Sequence, residues 1–457
     1  MSPGDRPSSL PPRTAASIEV TEARSPLAKR VFRPAQEFIH QEGASGRLLI
    51  LAAVVGLVLA NSPAAETYHQ LWETELGFEL GSFSFSHPLL EWINSGLMAI
   101  FFYLVTLEVK HEFLDGALAS RADATLPVVA AIGGMVVPAA IYIALNSALD
   151  GDPSGWGIPI ATDIAFAVAV ASLLHGRVSP ALLAFLLAFA IVDDIGAIIV
   201  IAVFYTGSIA IEPLLVGGLV LLATYGLRRL GLTSTTAFVL LGVLLWLAIS
   251  ESGIHATIAG VLMALLTPAR PLDEGSDEHF LQLAERYRTA RAAGDDDTAR
   301  WSIGKLEAAA QHTEAPLDRM IRLVHPWSGL VVLPLFALAN SGIRITADGV
   351  AEALASPVAI GIFLALALGK PIGIFAASAL TVRLGAARLP AGSSLSQIAG
   401  IGILAGIGFT VSIFIAELAF VHEAAADVAK LGIFAASTVA AIAGWFVLRW
   451  TSSRRST

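Results

Sequence analysis

The sequence predicts an all-α polytopic membrane protein of about twelve transmembrane helices, and three observations carry that prediction. Of the 457 residues, 55% are apolar and 14% charged, against roughly 25% charged in soluble domains; the mean hydropathy is +0.72. Apolar stretches recur along the chain and reach or approach the roughly 20 residues that cross a bilayer as a helix. None alternates over about 10 residues as a barrel strand does. The formal charge of −9 decides little, because where the charges lie matters more than their sum. The absence of cysteine excludes disulfides, zinc-thiolate sites and thiol chemistry.

Residues 1–45, rich in Pro, Ser, Arg and Ala, read as a disordered cytoplasmic tail and not as a cleavable signal peptide. The first span covers 46–60. The polar residues after it include Phe78-Glu79-Leu80-Gly81-Ser82-Phe83-Ser84-Phe85, which alternate about a Gly-Ser turn and predict a short extracytoplasmic β-hairpin near 78–85. Seven spans follow at 88–109, 126–145, 158–174, 180–205, 209–227, 235–249 and 254–266, so 46–267 holds eight. A cytoplasmic insert occupies 268–324. Its apolar Phe280, Leu283 and Tyr287, then Trp301, Ile303 and Leu306, predict two amphipathic helices joined at Gly294-Asp295-Asp296-Asp297, read as a solvated spacer. Residues 325–449 hold the last four spans, at 327–341, 357–380, 398–420 and 431–448, and 450–457 is a short cytoplasmic tail.

The basic residues test this order independently. Of the 28 Lys and Arg, all but Arg344, Lys370 and Lys430 fall on one side of the predicted arrangement. Every second loop is therefore nearly free of positive charge, which is the positive-inside pattern and makes both termini cytoplasmic.

Four charges lie where a bilayer should forbid them. Asp193 and Asp194 sit side by side inside the apolar run 180–205, Asp163 lies within Ala161-Thr162-Asp163-Ile164, and Lys370 within Gly369-Lys370-Pro371. One ionised group at the centre of a span costs roughly 2.5–3.5 kcal/mol, and adjacent like charges repel and cost more. Adjacent helical residues point about 100° apart, so only one of Asp193 and Asp194 can pair with Lys370 while the other lines a cavity. A purely structural ion pair is the plain alternative. It leaves two of three acids unpaired in a low dielectric, where they must be protonated, ion-bound or wet. A net negative site of this kind suits a small monovalent cation or a proton. Glu91, Glu251 and Glu417 lie nearer span ends and read as structural.

The backbone adds a second signal. Pro159 with Thr162-Asp163 interrupts the fourth span, and Gly402, Gly406 and Gly408 loosen the eleventh. These are the middle members of span groups 3–5 and 10–12, which are inverted relative to each other. Two interrupted helices crossing at mid-membrane within inverted repeats are a sequence pointer to a transporter's binding site. Close helix packing is the ordinary alternative for the glycines.

Taken together, Ala161-Thr162-Asp163-Ile164-Ala165-Phe166, Ile191-Val192-Asp193-Asp194-Ile195-Gly196-Ala197, Gly369-Lys370-Pro371 and Gly406-Ile407-Gly408-Phe409-Thr410 resemble the NhaA-type sodium/proton antiporters of bacteria. So do Leu107-Glu108-Val109-Lys110, Gly253-Ile254-His255-Ala256-Thr257 and Leu333-Pro334-Leu335-Phe336-Ala337-Leu338-Ala339-Asn340. Inverted repeats are themselves a feature of that family. The resemblance implies a multi-pass protein of the cytoplasmic (inner) membrane that extrudes Na+ or Li+ in exchange for H+, pH-regulated and electrogenic, with no cofactor and no nucleic-acid partner.

The resemblance also implies a role for each matching residue. Asp194 is the principal Na+-binding carboxylate with Asp163 beside it, and Asp193 is the partner of Lys370 in a pair that breaks and re-forms. Thr162 helps hold the interrupted helix and the ion, and Gly406, Gly408 and Thr410 belong to the other interrupted helix. Glu108, His111, Glu112 and His255 belong to the pH response, and the hairpin to a homodimer interface. Ser95 stands where the family has an Asp and His111 where it has an Arg, which bears on pH sensing and not on the ion site. Both His111 and His255 can titrate near physiological pH, a packed or solvated histidine being the plainer reading. An intramembrane aspartyl protease needs two carboxylates facing across one water, which neighbours in sequence cannot do. A passive cation channel sits poorly with Lys370 beside the acids.

Overall fold

The computed structural model describes residues 44–80, 83–174, 177–207, 209–230, 235–270, 276–313, 315–420 and 422–453. The predicted N-terminal tail through residue 43, the Gly81-Ser82 turn and residues 454–457 lie outside them. With no water to bond the backbone, each apolar run closes its own hydrogen bonds and becomes a helix. Helix α1 (Ala44–Ala60) turns through 113° into α2 (Ala65–Glu73). Strands β1 (Glu75–Leu80) and β2 (Phe83–Pro88) pair antiparallel, Phe78 opposite Phe85, in a hairpin longer than predicted. Its base is fastened by an aromatic stack in which the Phe85, Trp92 and Trp246 ring centroids lie 5.4–5.7 Å apart.

The remaining helices are α3 (Leu89–Leu114), α4 (Arg121–Ala148), a 3₁₀ helix (Pro153–Ile160), α5 (Ile164–Ser172), α6 (Pro180–Phe204), α7 (Ile211–Arg229), α8 (Thr235–Ser250) and α9 (Ile258–Leu266). They continue with α10 (Ser276–Ala293), α11 (Asp296–Thr313), α12 (Pro316–Asn340), α13 (Ala347–Ala355), α14 (Pro357–Arg383), α15 (Leu395–Leu404), α16 (Phe409–Ala419) and α17 (Glu423–Ser453). Among the described residues, 7 helices are long and apolar enough to cross a membrane, or 10 if each bent pair is one span. Helices α8 and α9, at 16 and 9 residues, are shorter.

Two of the bent pairs are the interrupted helices. The 3₁₀ helix meets α5 at 41° across Ala161–Asp163, and α15 meets α16 at 49° across the residues ending at Gly408. Three π-helical turns have no counterpart in the sequence prediction: Trp92–Leu97 in α3, Ser328–Val332 in α12 and Ala365–Gly369 in α14. In the last two, a following proline (Pro334, Pro371) has no N–H for the carbonyl four residues earlier, and the ladder slips by one residue. Ser45 donates to one of the displaced carbonyls, Gly329 O, at 2.8 Å.

The helix that carries the predicted span 327–341 begins earlier than that span. Helix α12 starts at Pro316, because proline suits the first helical position and Leu317 and Met320 bury against Leu107 and Ala264. In the insert, α10 and α11 join at Gly294, whose φ of +74° only glycine adopts freely. Leu283 is buried between them, but Trp301 and Ile303 are exposed, contrary to the predicted apolar face. Arg286 stacks on the Trp301 ring at 4.9 Å instead.

The two predicted repeats pack on one another, α4 along α14 and the 3₁₀ helix along α16. Helices α4 and α14 touch backbone to backbone. A Cβ on Gly133 would lie 2.4 Å from Gly373 O, and one on Gly373 would lie 2.1 Å from Gly133 O. This crossing sets the distance between α14, which carries Lys370, and the helices around it.

Candidate functional site

The two helix breaks are bonded to each other. Ala161 and Asp163 are too extended to continue a helix, and the polar groups of Thr162 and Asp163 turn to the opposite break. Asp163 N donates to Ile407 O at 2.7 Å and Thr162 Oγ1 to Ala405 O at 3.0 Å. The Asp163 carboxylate then caps both inner helix starts. Its Oδ1 accepts from Phe166 N of α5 at 2.9 Å, while its Oδ2 accepts from Thr410 N at 3.1 Å and Thr410 Oγ1 at 2.6 Å, both of α16. One carboxylate at two helix N-termini satisfies orphan N–H donors and offsets two positive dipole ends.

Gly406 and Gly408, at the break, also serve close approach. A Cβ on Gly406 would stand 2.5 Å from Leu366 O, in the π turn of α14, and one on Gly408 would stand 2.1 Å from Ser412 Oγ. The break between α15 and α16 therefore rests on the turn that presents Lys370.

Lys370 and Asp193 are both fully buried, with Lys370 Nζ 2.8 Å from Asp193 Oδ2. The ammonium also donates to Ile160 O, the last carbonyl of the 3₁₀ helix. Thr162 faces Asp193 with its hydroxyl and its amide. Asp194, one position on, points elsewhere. It is 3% exposed, and it makes no hydrogen bond or ion pair with any described residue. The charges around it are Asp193, Glu108, Lys370 and Asp163. A carboxylate taken from water without a partner must find a proton or a cation. Since Asp193 faces Lys370, the two neighbours form no facing dyad of the kind a protease uses.

The residues predicted for the pH response separate into two groups. Glu108 Oε1 lies 3.9 Å from His325 Nε2, and His111 Nδ1 lies 3.1 Å from Asp318 Oδ1, so two contacts join α3 to α12. Glu112 instead accepts from Ala117 N at 2.7 Å, closing the turn after α3. His255 stands apart, edge-on to Phe414 at 5.2 Å with Nδ1 2.8 Å from Thr257 Oγ1. The partners His325 and Asp318 were not anticipated. His325 precedes Pro326 in an apolar setting, which is a weak signal, and Asp318 fell inside the predicted insert.

The sequence model of the family described as Na+/H+ antiporter 1 matches residues 36–448. The Na(+)/H(+) antiporter NhaA 2 of Syntrophotalea carbinolica is 43% identical over 431 residues, 93% of this chain and 98% of that protein. The Na(+)/H(+) antiporter NhaA of Oleidesulfovibrio alaskensis is 44% identical over 435 residues, covering 93% and 96%. The Na(+)/H(+) antiporter NhaA 2 of Myxococcus xanthus is 40% identical over 460 residues, covering 98% and 95%.

Proposed function

The chain belongs to the Na+/H+ antiporter 1 family and is a sodium/proton antiporter, a multi-pass transporter of the bacterial inner membrane; on that premise we propose that Asp194 is the carboxylate at which Na+ and H+ compete. The observation that carries the reading is its burial beside a closed Lys370–Asp193 pair with no hydrogen-bond or ion-pair partner among the described residues. Ionised, it holds Na+ with Asp163 and Thr162 at the crossing of the two breaks. Protonated, it releases the ion. Asp163 supplies negative charge while its oxygens hold the helix ends, and the Lys370–Asp193 pair opens and closes as the charge beside it changes. Li+ is small and hard enough to compete, whereas K+ fits poorly.

Two carboxylates that release protons as one Na+ enters make the exchange electrogenic. The membrane potential then acts on it with about 2.3 kcal/mol per charge per 100 mV. Regulation by pH acts through Glu108–His325 and His111–Asp318, which tie α3 to α12, with Glu112 adding charge beside His111 and His255 acting separately against α16. Both termini are cytoplasmic. In support, each basic residue off that side is paired with an acid: Arg344 with Glu66 at 3.7 Å, Lys370 with Asp193, and Lys430 with Glu417 at 2.5 Å. The β-hairpin serves a homodimer, with Leu76 and Phe78 exposed on it.

Asp194→Asn abolishes the sodium-dependent pH change in everted vesicles, and Na+ added to the purified parent protein releases protons. Near-normal exchange by the variant, or binding without proton release, would contradict the assignment.

A further inference from the structure

We propose that Tyr142 and Tyr205 are positioning residues for ion exchange: they clamp the outer end of the 3₁₀ helix Pro153–Ile160, an extracytoplasmic gate whose inner end is held by Lys370. The proposal rests on the antiporter reading above, and adds to it the element that shuts the outer side.

A 3₁₀ run of 8 residues is long for a geometry seldom kept beyond three or four. Neither Pro153 nor Pro159 can donate a backbone N–H. What holds the segment is a series of side chains from four helices. At the outer end Tyr142, on α4, donates its hydroxyl to Asp152 O at 2.7 Å. Tyr205, the residue just past α6, donates to Ser154 O at 2.8 Å and accepts from Gly157 N at 3.1 Å. Further in, Ser412 of α16 donates to Ile158 O at 2.7 Å, and Lys370 of α14 donates to Ile160 O.

The clamp is built to shape. A Cβ on Gly155 would come 2.5 Å from the Tyr142 hydroxyl, and one on Gly157 would come 2.7 Å from the Tyr205 hydroxyl, so each tyrosine seats over a glycine. It also stands at the water boundary. Asp152, Pro153 and Ser154 are exposed, whereas Gly155 and the run from Gly157 to Ile160 are buried.

Length connects the two ends. A 3₁₀ helix rises about 2.0 Å per residue and an α-helix about 1.5 Å, so the eight residues would shorten by about 4 Å on conversion. With both ends held, the segment cannot shorten. The ammonium that holds the inner end is shared with Asp193, so a change of charge at the ion site releases Ile160 and the strain passes outward to the tyrosines. Opening to the outside then requires the tyrosine hydroxyls to let go.

The chain contains no cysteine, so one introduced thiol reports on this segment alone. Ile158→Cys is labelled with a membrane-impermeant maleimide applied to the extracytoplasmic side of vesicles, with and without Na+. Labelling is slow in the otherwise unchanged protein and changes when Na+ is added. Tyr142→Phe or Tyr205→Phe accelerates it about fivefold, the equivalent of about 1 kcal/mol at tenfold per 1.4 kcal/mol. The double variant accelerates it further and loses the Na+ response, and Gly157→Ala acts in the same direction with both hydroxyls present. A rate unmoved in the double variant overturns the proposal. So does an equal acceleration at a control thiol, Ile249→Cys, buried near the extracytoplasmic end of α8 in another part of the bundle, because general loosening would then be the cause. Exchange measured on the same vesicles separates the two readings. If the parent protein exchanges Na+ for H+ and Asp194→Asn stops it while the tyrosine variants leave labelling unmoved, the gate alone fails.

Discussion

Removing one partner of the Lys370–Asp193 pair is the most informative perturbation of the site. Both side chains are fully buried, their charged atoms lie 2.8 Å apart, and the ammonium has a second acceptor in Ile160 O. Lys370→Met leaves the Asp193 carboxylate in a low dielectric, at about 3–5 kcal/mol for a broken buried pair, and the lost bond to Ile160 adds about 1 kcal/mol. Asp193→Leu strands the ammonium at a comparable cost. Replacing both with apolar groups removes the desolvation problem, and such exchanges are neutral or stabilising by about 1–4 kcal/mol. The double variant should therefore recover most of the stability that either single change loses. The measurement is a thermal challenge in detergent followed by size exclusion, combined as a double-mutant cycle. The deficit of Lys370→Met shrinks on acidification, where a proton neutralises the stranded carboxylate. In the double variant stability returns but normal sodium-dependent exchange does not, because the pair proposed to open and close is gone. Single variants within about 0.5 kcal/mol of the parent protein, or a stable double variant with full exchange, would refute the reasoning.

Three further outcomes follow from contacts around the site. Thr410→Val removes the hydroxyl 2.6 Å from Asp163 Oδ2, a bond to a charged acceptor worth about 1.5–3 kcal/mol; it should lower thermal stability and raise the Na+ concentration for half-maximal exchange, and Thr410→Ser should restore both. Gly406→Ala drives a methyl against the Leu366 carbonyl, which is backbone and cannot swing aside, so the yield of monodisperse protein should collapse. Gly402→Ala, whose methyl would meet Pro371 at an ordinary 3.4 Å, should be tolerated. His111→Gln and Asp318→Asn each undo a half-exposed contact and should change stability by less than about 1 kcal/mol. The contact is strongest where His111 is protonated, so it ties α3 to α12 at acid pH and weakens as pH rises. If that tie restrains exchange, both variants move activation to lower pH in vesicle assays, and an unchanged profile removes these residues from the pH response.

The tyrosine clamp and the Asp163 cap describe one division of labour. Asp163 holds the two inner helix starts together, whereas Tyr142 and Tyr205 hold the outer end of the segment leading to them. Between the two lies Ile160 O, bonded to Lys370. A charge change at the proposed ion site thus meets a backbone already tied at both ends.

The sequence by itself determined what depends on local composition. Apolar length made helices, and Asp163, Asp193, Asp194 and Lys370 stood out because a bilayer penalises charge wherever it occurs. Pro159 with Thr162-Asp163, and the glycines near 406, marked the breaks because they weaken a helix in any context. The π turns needed more, since a proline says that a ladder will be disturbed but not whether it kinks or slips. Residue spacing showed that only one of Asp193 and Asp194 could meet Lys370. Which one does so depends on how far α14 approaches across the Gly133–Gly373 contact, between residues distant in the chain. The same holds for the double cap by Asp163, the placing of His111 against Asp318 away from His255, and the two tyrosines seated over Gly155 and Gly157. Each is a relation between surfaces brought together by packing, and packing is set by the summed shapes of several helices rather than by any one stretch of residues.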